Sequence, residues 1–149
     1  MLARWIFAAV HLLALGIGLG AVWTRSRALR GQPTAEQLRR AFMADTLWAV
    51  AAVLWITTGV VRAFGGLERG TAYYLGNTAF LVKMALLGLI LLLEIWPMVT
   101  LIRWRIRLSR GQAIDTRPAN SFAVISLIQA GLVIAMVFAA TAMARGVGS

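Results

Sequence analysis

Residues 121–144 read SFAVISLIQAGLVIAMVFAATAMA, twenty-four positions without a single charge. A helix needs about 20 mostly apolar residues to cross a hydrocarbon layer roughly 30 Å thick, so this stretch by itself predicts a membrane span. Working outward, three more windows of that kind precede it. One covers 79–102 and is interrupted by Lys83 and Glu94; one covers 42–62, with Phe42 to Asp45 at its interfacial end; one covers 5–23, where His11 is the ionisable group. Backbone groups in lipid must pair within the chain, and the alternating pattern of a barrel is absent, so the spans are helices. The expected fold class is all-α, a four-helix transmembrane bundle forming one domain over residues 1–149. Composition agrees: 60% of the residues are hydrophobic and 13% charged, outside the range of ordinary soluble domains.

The formal charge of +10 might point to nucleic acid, but the placement of the basic residues gives another reason for it. Arg25, Arg27, Arg30, Arg39 and Arg40 lie between the first two spans, and Arg103, Arg105, Arg107, Arg110 and Arg117 between the last two. Those two connections hold ten of the fifteen basic residues, whereas the middle connection holds Arg62 and Arg69 and the ends hold Arg4 and Arg145. By the positive-inside rule the arginine-rich loops face the cytoplasm of a bacterial inner membrane and both termini lie outside. Anionic lipid headgroups, not nucleic acid, are then the expected partners of those arginines. The first span reads as an anchor and not as a signal peptide, because its positive charge follows the apolar run. Without cysteine, thiolate clusters, disulfides and thioether-linked haem are excluded.

Between the first two spans the chain turns at Gly31, Gln32 and Pro33, and Thr34 with Gln37 predicts a capping box that opens the second helix. The middle connection, Gly65 to Asn77, is glycine-rich and carries Glu68, Arg69, Tyr73 and Tyr74, the tyrosines suiting a membrane interface. Gly16 with Gly20, and Gly131 with Ala135 and Ala139, offer small-residue ridges for close helix packing, expected inside the bundle in preference to an oligomer contact.

Charges at membrane depth are expensive, so each one is a functional candidate. Under this topology His11 and Lys83 fall in an outer layer, while Asp45 and Glu94 fall in an inner one. Lys83 and Glu94 are eleven residues apart, about three turns or roughly 16 Å, so each needs a partner on another helix. For the two acids, Arg25 and Arg103 are the candidate partners in an interhelical ion-pair network. The outer layer also holds Arg4, Arg62 and Arg69 against one acid, Glu68, so its cations exceed its anions. Helix one places His11, Leu15, Gly18, Val22 and Arg25 on one face. Helix two places Asp45, Trp48, Ala52, Trp55, Gly59 and Arg62 on one stripe, the pattern of a cavity wall bounded by indoles.

The segments HLLALGIGLGAVWTRSRALRG (11–31), ADTLWAVAAVLWITTGVVRAFGGLERGTAYYL (44–75) and FLVKMALLGLILLLEIWPMVTLIRWR (80–105) resemble a family of bacterial predicted membrane proteins, a domain of unknown function. More distantly, His11 with Lys83 resembles the four-helix protoporphyrinogen oxidases and copper-resistance D-type membrane proteins. That resemblance implies a haem or porphyrin site at His11 and Lys83, with His11 on the iron. The pattern departs at Glu94, which stands near where those relatives carry a second histidine. Bis-histidine haem within one chain is therefore excluded, and ligation by water, methionine or another subunit stays open.

Two functions of different class follow. One is haem b or porphyrin binding in a redox role, with His11 as axial ligand and Lys83 and Arg62 on the propionates. The other is a non-enzymatic accessory or scaffold subunit that forms a homo-oligomer or docks a larger membrane complex. A proton or transport pathway through Asp45 and Glu94 lacks the inverted repeat such proteins carry. Copper lacks soft ligands here, with one histidine, no cysteine and scattered methionines.

Overall fold

The computed structural model describes residues 1–66 and 71–147. Four long helices, α1 (Leu2–Leu29), α2 (Ala35–Phe64), α4 (Thr78–Ser109) and α5 (Ala119–Ala144), are each long and apolar enough to cross a membrane. A short helix, α3 (Thr71–Gly76), sits in the glycine-rich middle connection. There is no strand among the described residues. Glu68 and Arg69 lie outside the described residues.

Several of the helix ends have a chemical reason that can be read from the residues there. At α2 the expected capping box forms: Thr34 Oγ1 accepts from the Gln37 N–H at 3.2 Å, and Gln37 Oε1 accepts from the Thr34 N–H at 2.8 Å. At α4 the Asn77 side chain accepts from the Phe80 N–H at 3.0 Å. The helices α1 and α4 both end at an Arg-Gly-Gln triplet, residues 30–32 and 110–112, whose glycines take positive φ of 75° and 67°. A Cβ is strained there, so glycine is the residue that lets the chain leave the helix. In the second of these loops the side chain of Arg117, followed by its backbone N–H, hydrogen-bonds Asp115 and holds that exposed carboxyl below the usual carboxylate range.

The helices form an incomplete ring. α1 packs along α2 on one side and α5 on the other, and α5 also packs on α4. α2 and α4 scarcely meet, and the backbones of α1 and α4 do not pack at all. The bundle therefore has a seam between α2 and α4. Its apolar core lies in three tiers. At the arginine-rich end Phe122 is fully buried, with its ring 4.8 Å from Trp96 and 5.6 Å from Trp104. The middle tier holds Val22, Trp48, Ile90 and Val133, and the far end holds Ala63, Tyr74 and Phe80. The outside carries Leu13, Ile17, Val53, Leu92 and Phe138, as expected where the surrounding solvent is hydrocarbon.

Two packing expectations are corrected. Gly16, Gly20 and Gly131 have nothing within 4 Å of the position a Cβ would take, so they do not serve packing inside the bundle. The glycines that do are Gly18, where an added Cβ would lie 3.4 Å from Ala51 Cβ and 3.5 Å from the Trp48 ring, and Gly59, where it would lie 3.2 Å from the His11 ring. Helical periodicity finds ridges of small residues without saying which ridge faces inward.

Candidate functional site

The α1 face carrying His11, Ala14, Gly18, Val22 and Arg25 is buried, and the Arg25 side chain has no exposure. A guanidinium in that position needs all five N–H donors answered and its charge balanced. Nε donates to Ser126 Oγ at 2.9 Å. Nη1 donates to Asp45 Oδ1 and to Glu94 Oε1, each at 2.7 Å. Nη2 donates to Glu94 Oε2 at 2.9 Å and to Gln129 Oε1 at 2.6 Å. The grip on Glu94 is the two-pronged arrangement that makes arginine–carboxylate pairs strong and directional. Gln129 turns its amide back onto the cluster, donating to Glu94 Oε2 at 2.8 Å and to the Ile90 carbonyl at 3.1 Å. One side chain of α1 is thus bonded to α2, α4 and α5.

Arg103 plays no part in this cluster: its side chain is exposed, on the outer face of α4. Two residues along, Arg105 reaches α2 instead, donating to the Phe42 carbonyl and to Thr46 Oγ1 at 3.0 Å, with its guanidinium 5.5 Å from the Phe42 ring centre. Ser126 and Gln129 were absent from the sequence-based candidates. Their signal is present, since they are the polar side chains between Phe122 and Ala140 of an otherwise apolar span, three positions apart on one helix face.

At the opposite end His11 is 7% exposed. Its Nδ1 lies 2.9 Å from Thr58 Oγ1, and that hydroxyl directs its own proton to the Leu54 carbonyl at 2.7 Å. With the hydroxyl proton on that carbonyl, the imidazole is the donor, in its Nδ1–H form. Its ring stacks on Trp55 at 5.6 Å and 25° and lies edge-on against Gly59. Thr58 is a third residue absent from the sequence-based candidates, because a threonine in a span ordinarily bonds its own helix.

Two cavities open along the seam. The distal one, about 510 Å³, is lined by His11, Arg62, Lys83, Met84, Met136 and Met143 among others. The hub-side one, about 250 Å³, is lined by Gly18, Asp45, Trp48, Ala52, Trp55 and Glu94 among others. Leu15, Trp55, Ile56 and Leu87 border both. The α2 stripe of Asp45, Trp48, Ala52, Trp55, Gly59 and Arg62 therefore lines one cleft from end to end. His11, Arg62 and Lys83 share the distal cavity, while Asp45 and Glu94 share the hub-side one. Arg4 is exposed and lines neither cavity.

A family model described as a predicted membrane protein, DUF2214, matches residues 3–148. No curated protein and no solved structure matches the chain.

Removing Arg25 leaves two buried carboxylates facing each other, so Arg25→Met is expected to destabilise the bundle by about 3–5 kcal/mol. Adding Asp45→Asn and Glu94→Gln, which discharge the cluster without changing its shape, should recover most of that loss. Thermal unfolding in mild detergent measures both. A single variant as stable as the parent would mean the cluster carries little of the fold.

Proposed function

We propose, for a chain that belongs to the DUF2214 family of predicted membrane proteins, that the distal cavity binds haem or a porphyrin in a redox role. The observation that carries this reading is the environment of His11. It is a buried imidazole whose Nδ1 is hydrogen-bonded to Thr58 at 2.9 Å, which is how metal-binding histidines are commonly oriented through their second nitrogen. It borders an apolar cavity of about 510 Å³, within the usual range of roughly 300–1,000 Å³ for small-molecule sites. The residues present suit the group. His11 would hold the iron, Arg62 and Lys83, which line the cavity, would meet the propionates, Trp55 is stacked on the imidazole, and the lining also carries the thioethers of Met84, Met136 and Met143. Bound there, the tetrapyrrole would supply one-electron chemistry; the protein residues hold it, orient it and keep water away.

The same reading places the chain in a bacterial inner membrane with both termini outside, the arginine-rich loops holding anionic lipid headgroups in the cytoplasm. A second reading, an accessory subunit of a larger membrane complex or a homo-oligomer, is favoured by one specific feature. Gly16, Gly20 and Gly131 face open space on the outside of the bundle, where a neighbouring helix can approach closely.

Purified protein supplied with haem should develop a Soret band that His11→Ala abolishes. Thr58→Ala should weaken haem binding about 10–100-fold through the loss of the orienting bond. A protein that stays colourless on haem addition sinks this reading. For sidedness, single cysteines introduced at Leu2 or Val147 should react with a membrane-impermeant maleimide in spheroplasts, and protection at both positions would reverse the topology. For the accessory reading, Gly16→Leu with Gly20→Leu should break copurification with a membrane complex while leaving haem uptake intact.

A further inference from the structure

The hub-side cavity differs in charge from the distal one. Two carboxylates border it, Asp45 and Glu94, and no arginine, lysine or histidine does. Arg25 stands behind them with all five donors spent, so the cluster holds two acids against one base. The four oxygens of those acids are unequally answered. Both oxygens of Glu94 accept from Arg25, and Gln129 adds a third bond. Asp45 Oδ1 accepts from Arg25, but Asp45 Oδ2 has no hydrogen bond among the described residues. The residue that carries it is 8% exposed and lines the cavity. Further along α4, Arg103 is exposed and Arg105 is occupied by Phe42 and Thr46, and neither borders the cavity.

The remaining wall is aromatic and aliphatic. Trp48 is 7% exposed and is seated against α1 at Gly18, so its indole is held in place, and Trp55 closes the end toward the distal cavity. An acid oxygen without a donor at the wall of an apolar chamber, with the Trp48 indole one helical turn along α2 and Trp55 about 15 Å along it from Asp45, is the chemistry that recognises alkylated ammonium groups. A hydrated inorganic ion would have to shed its water against mostly apolar walls, whereas a quaternary ammonium has little tightly held water to lose.

We propose that the hub-side cavity is a binding site for a small organic monocation with an apolar body, its ammonium held at Asp45 and its substituents against Trp48. The seam between α2 and α4 gives such a ligand a way in from the bilayer. This site is separate from the haem reading and stands or falls without it.

Benzyltrimethylammonium is the probe, titrated by calorimetry into the full chain in nanodiscs of zwitterionic lipid, so that surface charge does not concentrate it. Saturable binding is expected, at least about tenfold tighter than that of neopentylbenzene, its uncharged isostere. Asp45→Asn keeps an acceptor for Arg25 and should lose the ammonium about tenfold or more with little change in melting temperature, and Trp48→Phe should lose it several-fold. The comparison of the two probes on the unaltered chain needs no variant to fold. Equal affinity for the neutral isostere overturns the proposal, as does undiminished binding by a folded Asp45→Asn protein or the absence of saturable binding.

Discussion

Everything in this bundle is arranged around one guanidinium that has no access to water. Helices in lipid gain nothing from hydrophobic association, so their order and register must come from close packing and from polar groups that have no other place to go. Arg25 supplies both constraints. Its fork accepts one arrangement of Asp45, Glu94, Ser126 and Gln129, and a sliding of any helix by one residue, about 1.5 Å, would strand a charge. The consequence is clearest for α1 and α4, whose backbones do not pack. They are joined through the side chain of Arg25, and that reach closes the ring at one end while leaving the seam open along the rest.

The cleft that results has two chemical ends. Arg62 and Lys83 border the distal cavity and Asp45 and Glu94 the hub-side one, with Trp55 and Leu87 common to both. A ligand positioned by charge will therefore settle at different depths according to its sign. His11 belongs to the distal end by its cavity but is fixed by α2, through Thr58 and the Trp55 ring.

Much of this was legible in the sequence, for reasons particular to membranes. Spans announce themselves because lipid forbids exposed backbone and long charged stretches, so the four helices and the buried ionisable groups could be read directly. The α2 stripe followed from helical periodicity and proved to line the cleft, as did His11, Leu15 and Gly18 of the α1 face, whereas Val22 and Arg25 of that face are buried behind it. Pairing across helices was harder. Arg25 and Arg103 looked equivalent as partners for the acids, yet position 103 points away from the bundle, and the choice between 103 and 105 depends on the rotation of α4. The same missing rotation hid the difference between Gly16, which faces outward, and Gly18, which seats Trp48. Thr58, Ser126 and Gln129 carry no charge and so drew no attention, although buried amides and hydroxyls are what complete a buried ion network.

The saturation of Arg25 also has a meaning in time. The chain is made from its first residue, so the guanidinium is synthesised before any of its partners, and Asp45, Glu94, Ser126 and Gln129 arrive in that order. Until α5 is delivered, two of its five donors lack their final acceptors, which favours keeping that end of α1 at the headgroup level, where water can serve instead. The Arg25 cluster is thus completed only once α5 has joined α1, α2 and α4.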